Sequence, residues 1–108
     1  MANTFKNKGL ALSSTSRTDL YTCPSSTSAV VHTLNIANVN GTSSASITIE
    51  LYDSSATTYY KIGYLIPVPG GSGYFFDKPI NLEASDKISL TASTANYLEA
   101  FASILEIT

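Results

Sequence analysis

Apolar and polar residues alternate along the middle of the chain with the two-residue period of a half-buried β-strand. In the segment 45–53, Ile47, Ile49 and Leu51 fall on one face and polar residues on the other. The segment 29–39 alternates in the same way, and Asn40-Gly41 lies between the two. Because both residues of that pair tolerate positive φ, they are a strong turn signal. We therefore predict that these two strands form a hairpin with one solvent-facing side.

The same period predicts six further strands, at 20–23, 59–68, 74–76, 79–82, 87–92 and 97–107, the last of them long. Pro67 and Pro69 cannot donate to a central ladder, so the end of the 59–68 strand should lie at a sheet edge or leave the sheet. About eight strands separated by turns every 8–12 residues indicate an all-β fold. The predicted fold class is an antiparallel β-sandwich of jelly-roll or immunoglobulin-like type.

The last predicted strand is apolar on both faces, unlike the others. Such a strand is expected to be buried twice, once in the core of its own domain and once against a partner. One face carries Leu98, Ala100, Ala102 and Ile104, and the other carries Tyr97, Phe101, Leu105 and Ile107.

Residues 1–18 show little periodicity and hold only isolated apolar residues such as Phe5, Leu10 and Leu12. We expect an extended N-terminal arm over 1–18, docked on a neighbouring subunit, and a β-sandwich domain over 19–108. Removal of residues 1–15 is then expected to leave a folded domain that no longer binds its assembly.

Charge is scarce, which narrows the classes of partner. Charged residues are 13% of the chain, the net charge is −2, and the six basic residues are spread singly. Nucleic-acid binding is not expected, because no basic stripe is present to neutralise phosphates. No apolar run approaches the roughly 20 residues that a membrane span needs. The single cysteine, Cys23, cannot form an internal disulfide, so we expect folding in a reducing cytosol.

No catalytic or cofactor motif emerges from the sequence. The alternation places His32, the single histidine, among core residues, so a structural histidine is favoured over a catalytic base. The Gly-rich turn at 70–73 matches neither a nucleophile elbow nor a phosphate loop. Asp77, Glu83 and Asp86 cluster around a turn, and solvated turn acids are favoured over a calcium site. We expect a protein that is not an enzyme and binds no cofactor.

The candidate contact residues lie on the N-terminal arm, among the outward-facing aromatic residues and on one face of the last strand, and tyrosine is enriched at interfaces. They are Phe5, Leu10, Leu12, Tyr52, Tyr59, Tyr74, Tyr97 and Phe101.

The chain resembles small virion structural proteins of tailed bacteriophages, of the marine and cyanobacterial type. The resemblance spans nearly the whole chain as a pattern of strands and turns. It is carried by Met1-Ala2-Asn3-Thr4-Phe5-Lys6-Asn7, Asp19-Leu20-Tyr21-Thr22-Cys23-Pro24, Ala29-Val30-Val31-His32-Thr33-Leu34-Asn35-Ile36-Ala37-Asn38, Leu82-Glu83-Ala84-Ser85-Asp86-Lys87-Ile88 and Ser103-Ile104-Leu105-Glu106-Ile107. Relatives often have glycine where this chain has Ser85.

The resemblance implies a non-enzymatic virion protein, made in the host bacterial cytoplasm, which decorates or cements the capsid through protein–protein contacts. Its implied partners are the major capsid protein or other virion proteins and further copies of itself, with a trimer favoured. The alternatives are a tail, neck or fibre-associated virion protein, and a carbohydrate- or receptor-binding β-sandwich module.

Overall fold

The protein, described here by a computed structural model that covers residues 2–108, folds into nine β-strands. In chain order they are β1 (Asn3–Ala11), β2 (Thr18–Thr22), β3 (Ser28–Asn38), β4 (Ala45–Asp53), β5 (Thr58–Val68), β6 (Gly73–Phe76), β7 (Ile80–Leu82), β8 (Lys87–Ala92) and β9 (Leu98–Ile107). Residues 2–108 include no helix that is long and apolar enough to cross a membrane.

The strands form two antiparallel sheets that pack face to face. Sheet A has the order β1-β9-β3-β6, and β7 also pairs with β3. Sheet B has the order β2-β8-β4-β5. The predicted all-β antiparallel sandwich is therefore confirmed.

The connectivity is that of one long hairpin wrapped into two sheets. β4 pairs with β5 at its tip, and β3 pairs with β6 and β7. β2 then pairs with β8, and β1 with β9. Wrapping brings β9 beside β3 and β8 beside β4, which completes both sheets. If β6 and β7 are counted as one broken strand, this is the eight-stranded jelly roll, the first of the two predicted types.

The predicted hairpin between β3 and β4 is wrong, because these strands lie in different sheets. After Asn38 the chain crosses from sheet A to sheet B instead of turning back on itself. The buried Asn38 side chain holds this corner: its Nδ2 donates to the carbonyl oxygens of Ser43 and Val68, both at 2.9 Å. Its Oδ1 accepts from the Asn40 amide at 2.8 Å. The Asn40-Gly41 pair predicts that the chain changes direction, but it does not predict which sheet the next strand joins.

The core fills the space between the sheets with aliphatic side chains from every long strand except β1. Leu98, Ala100, Ala102 and Ile104 are all at most 4% exposed, which confirms the core-facing side predicted for the last strand. The largest fully buried side chains are Leu12, Leu20, Val31, Leu34, Ile36, Ile47, Ile49, Leu82, Ile88, Leu90, Leu98 and Ile104.

The segment predicted as an arm contains β1, which pairs along its whole length with β9 of the same chain. Most of its side chains are exposed, so the backbone ladder contributes most of its attachment. Leu12, directly after β1, is 1% exposed in the core. A truncation that removes residues 1–15 would therefore open the core, and point substitutions are the better probe of this segment.

Candidate interaction surfaces

The outer side of sheet A carries rows of residues that the strand register fixes. In one row, Phe5 of β1, Leu105 of β9 and Val30 of β3 lie side by side. Because neighbouring side chains on one face are two residues apart, the next row along the strands is polar. It contains Asn7, Ser103 and Thr33.

Beyond this polar row lies a second, mostly apolar row, in which Gly9, Phe101 and Phe75 lie beside the polar Asn35. Phe5, Phe75 and Phe101 are 79%, 66% and 46% exposed. We call the two apolar rows and the polar row between them the aromatic face.

The aromatic face is almost uncharged. Glu99 is the one acidic residue at the outward strand positions of sheet A, and no lysine or arginine occupies such a position in the described chain. His32 also lies here, exposed, with its ring centroid 6.5 Å from that of Phe5. The expectation of a core histidine is wrong: the register of β3 and β9 shifts between Val31 and Thr33, which turns His32 outward.

A shallow groove runs beside Phe101 at one end of the aromatic face. Its volume is about 420 Å³, and Gly9, Ala11 and Ala37 supply small residues along it. A Cβ atom at Gly9 would lie 3.5 Å from Cδ1 of Phe101, so the missing side chain leaves open the space next to the ring. Asn35 and Glu99 also line the groove, and its other lining residues are apolar.

The outer side of sheet B has the opposite character. Glu50 of β4 is 3% exposed and accepts two hydrogen bonds from Arg17, at 2.9 and 3.1 Å, while Lys61 Nζ lies 3.7 Å from its Oε2. Next to this pair, Asp19 accepts from the Ser89 hydroxyl at 2.8 Å and lies 3.6 Å from Lys87 Nζ. The hydrogen bonds from Arg17 lower the pKa of the Glu50 carboxyl, against the burial that acts to raise it. This charged face is satisfied within the chain.

Two of the predicted contact tyrosines belong to this charged face. The rings of Tyr52 and Tyr59 are 4.7 Å apart, centroid to centroid. The Arg17 guanidinium covers the Tyr59 ring at 3.7 Å, a cation–π arrangement. Lys87 Nζ lies 5.2 Å from the Tyr52 ring. Both rings are therefore occupied by cations of the same chain.

The remaining predicted contact residues divide into two groups. Phe5 and Phe101 share the aromatic face. Leu10, Tyr74 and Tyr97 are half-buried and pack against the core, and Leu12 belongs to it. The eight residues thus do not form one surface, and we retain Phe5 and Phe101 for the interaction surface.

Three components of these surfaces were not among the predicted contact residues: Phe75, the groove beside Phe101, and the Arg17–Glu50 pair. β6 has only four residues, and the adjacent Phe75 and Phe76 offer no local signal of which one points outward. Arg17 and Glu50 are 33 positions apart, and only sheet pairing brings them together. The outward alternation of Glu50 within 45–53 was the one signal available for the pair.

A side-chain contact bridges the two sheets at the open edge between β1 and β2. The Tyr21 hydroxyl of β2 donates to Oε2 of Glu106 on β9 at 2.5 Å, and Lys6 Nζ lies 3.5 Å from Oε1. Burial, followed by this hydrogen bond, raises the pKa of the Tyr21 phenol above its ordinary value near 10. Tyr21 therefore ties sheet B to sheet A where β2 leaves the core edge uncovered.

Replacement of Tyr21 with phenylalanine should lower the free energy of unfolding by about 1 kcal/mol at pH 7, because Glu106 loses its hydroxyl donor. Since the folded pKa of Tyr21 is raised, its contribution is complete below the unfolded pKa near 10 and is lost as the pH rises through the folded pKa. Urea unfolding at several alkaline pH values should therefore show a shallower decline for Tyr21→Phe. The control is Tyr60→Phe, at a residue that is 52% exposed, which should follow the wild type.

The acidic turn is a structural feature held by hydrogen bonds. Carboxylate oxygens of Asp53, Glu83 and Asp86 lie within 4.8 Å of one another, whereas Asp77 lies outside this group. Asp86 is 4% exposed, and it accepts from the Ser54 amide, the Ser54 hydroxyl and the Glu83 amide, each at 2.9 Å. The Asp86 carboxylate thus has its hydrogen-bond partners within the chain.

Neither a protein-family model nor a curated protein matches the sequence. Three solved structures are similar in fold. A chain of the acidic stable capsid of Helicobacter pylori bacteriophage KHP30 is 11% identical, with a TM-score of 0.60 over 100% of this chain and 89% of that one. A chain of the disulfide-linked pili that form Bacillus endospore appendages is 16% identical, with a TM-score of 0.54 over 100% and 91%. A chain of infectious bursal disease virus, Gt strain, is 12% identical, with a TM-score of 0.47 over 98% and 29%.

At such low identity, a likeness in structure is a statement about the fold. The first two matches cover this chain completely and most of the other chain, so the whole jelly roll is shared and not one sheet of it. Residues 2–108 therefore form a jelly roll, an architecture that also occurs in a phage capsid and in a spore appendage.

Proposed function

We propose that this protein is a virion structural protein that acts through protein–protein contacts and not through catalysis. The observation that carries this proposal is the aromatic face. Three phenylalanines at 46–79% exposure on one side of one sheet, with a single carboxylate among its strand positions, form a surface that the chain itself does not cover. Exposed apolar patches of this kind mark interaction sites, because water contact with them is unfavourable.

The distribution of charge supports a protein that binds a partner through sheet A and exposes the outer side of sheet B to solvent. The charged face of sheet B pairs its buried carboxylate internally and presents Arg17, Lys61 and Lys87 to solvent. Sheet A presents phenylalanine instead. A structural protein of a shell can bury its apolar face against a neighbouring subunit and keep its charged face in water, and each copy is stabilised by that contact.

The fold adds support of a weaker sort. Jelly rolls build many viral capsids, and the capsid chain of bacteriophage KHP30 shares this one over the whole length of the present chain. This is an analogy between folds, which host many functions, so the surface remains the main argument. With the sequence resemblance, it favours a place on the capsid, with the major capsid protein or other virion proteins as partners.

Particles of the phage that encodes the chain provide the test. They would be purified on a density gradient, and the copy number of the chain measured by quantitative mass spectrometry. We expect copies in a fixed ratio to the major capsid protein and density on the shell in electron cryomicroscopy. A ratio fixed instead to tail proteins would support the tail, neck or fibre alternative. Absence from washed particles would contradict the proposal.

Carbohydrate binding is the alternative from a different functional class. Sugars stack on open aromatic rings with polar groups around them, but Arg17 already covers the Tyr59 ring of the charged face. We therefore expect no reproducible signal from the isolated protein on a glycan array. Saturable binding of one glycan class that is lost in Phe75→Ala or Phe101→Ala would favour the carbohydrate-binding alternative.

A further inference from the structure

We propose that the aromatic face binds the same face of a second copy of this chain, in a two-fold symmetric pair. This inference builds on the proposed function, because it names the partner of the surface on which that function rests. The inference rests on shape. Phe5 projects from the outer side of sheet A, and the groove beside Phe101 lies where a two-fold rotation would place it.

The projecting residue is Phe5, which is 79% exposed at the edge of sheet A. The recess is the groove beside Phe101, where Gly9 has no side chain. Phe5 and Gly9 lie on the same strand, four residues apart, so they are separated by about 13 Å along β1. The polar row through Asn7 lies midway between them.

A two-fold axis along this polar row exchanges the two apolar rows of facing copies. It places Phe5 of one copy over Gly9 of the other, and Phe101 of one copy over Leu105 of the other. The same operation repeats both contacts, as an isologous interface requires. Asn7 and Ser103 lie on the axis and face their own counterparts. The strands of the two faces then run nearly parallel or antiparallel to one another, as in aligned sheet packing.

Charge and area agree with a second copy as the occupant. Glu99 is eight residues from Ile107 along β9, so the rotation places it opposite Ile107, at the rim of the interface and far from the other Glu99. Two copies thus bury no pair of like charges. The whole outer side of sheet A, with strands of about ten residues arranged four across, measures about 600 Å², or about 1,200 Å² for both copies. That is the lower end of the range for specific interfaces.

The mass of the purified full chain in solution tests this pairing without any particle. Sedimentation velocity over a series from about 1 to about 200 µM should show a shift from a monomer of 11.5 kDa to a species of about 23 kDa, twice that mass. The trimer expected from the sequence resemblance would have about 35 kDa, three times the 11.5 kDa of the chain, and its appearance would overturn the two-fold pair. A monomer at every concentration would overturn it also.

Two substitutions test the contacts themselves. Phe5→Glu places a charge over the recess, and Gly9→Val fills it, so each should weaken the pair about tenfold or more. The matched control is Tyr64→Glu, at an aromatic residue that is 64% exposed on β5, away from the aromatic face. It should leave the association unchanged. A pair that tolerates Phe5→Glu, with the circular dichroism of the wild type, contradicts the proposed packing.

The position of the axis has its own readout. Ser103→Cys should give a covalent dimer under mild oxidation, because the two thiols would face each other across the axis. Thr91→Cys, on the outer side of sheet B, should remain monomeric on a non-reducing gel. Equal cross-linking of both variants would contradict the symmetry. Particle incorporation is measured separately, so a monomer in solution overturns the pair and leaves the virion assignment to its own test.

Discussion

Replacement of Asp86 with alanine is expected to lower the free energy of unfolding by about 3 kcal/mol at pH 7. The carboxylate is 4% exposed and accepts three hydrogen bonds, two from Ser54 and one from the Glu83 amide. Alanine leaves these donors without an acceptor in a turn that joins β7 to β8. Asp86→Asn keeps one acceptor oxygen but presents its amide group to a donor. It should therefore lower the free energy of unfolding by about half as much as Asp86→Ala does.

The pH dependence of the free energy of unfolding distinguishes the contribution of the Asp86 charge from that of its side-chain shape. Burial acts to raise the pKa of this carboxyl, but the hydrogen bonds from Ser54 and Glu83 outweigh it and hold the pKa below its ordinary value. A lowered folded pKa means that the contribution is complete above the unfolded pKa, about 3.9, and is lost as the pH falls through the folded value.

Urea unfolding of the wild type and Asp86→Asn at pH 7 and in steps below pH 4 measures this dependence. The difference between the two proteins should narrow as the solution becomes more acidic. Asp77→Ala removes an exposed carboxylate nearby and should change stability by less than about 0.5 kcal/mol. A constant difference at all pH values would mean that the charge of Asp86 contributes nothing.

The second large effect is expected at Asn38, where the chain crosses from sheet A to sheet B. Asn38→Asp should cost about 3 kcal/mol, because a carboxylate would face the carbonyl oxygens of Ser43 and Val68 in a buried site. Asn38→Ala should cost nearly as much, since it leaves both carbonyls and the Asn40 amide without partners.

The midpoint of urea unfolding, compared with that of Asn81→Ala, is the appropriate measurement. Asn81 is an exposed asparagine on β7, so its replacement should have little effect. If Asn38→Asp unfolds with the midpoint of the wild type, the corner is held by the jelly-roll packing alone and the role given to the Asn38 amide is wrong.

The hydropathy pattern identified most strands because a half-buried sheet imposes its period on the sequence. The predicted bounds of β4 and β8, 45–53 and 87–92, agree with the structure. β1 has no such signal: sheet B does not cover its inner side, and both its faces are exposed enough to accept polar residues such as Lys6 and Lys8. Edge strands of this kind are invisible to periodicity.

Other features depend on strand register, backbone conformation and pairing between distant segments, which the local hydropathy pattern does not reveal. The register shift in β3 reverses the side on which His32 lies, and nothing near it in sequence marks the bulge. Ser85 adopts a φ of 71°, a conformation that glycine takes most easily and that the serine itself does not signal. Pairing between distant segments, as in the Arg17–Glu50 contact, follows from the wrapped hairpin and not from the residues around either side chain.

The aromatic face was foreseen in part. The two apolar sides of the last strand predicted a second contact surface, and Phe101 lies on it with Phe5. The role of that surface as an interface stays a prediction, and its extent across Phe75 emerged only from the pairing of β6 with β3.

The most direct test of the central claim, that the aromatic face is the working surface of this protein, is the copy number of Phe101→Glu in purified particles. The variant would be supplied to a phage that lacks the gene, beside wild-type protein and the control Tyr64→Glu. We expect the control to be incorporated like the wild type and Phe101→Glu to be reduced about tenfold or more, since it places a charge in the second apolar row of the face. Incorporation of folded Phe101→Glu at the wild-type copy number would contradict the account.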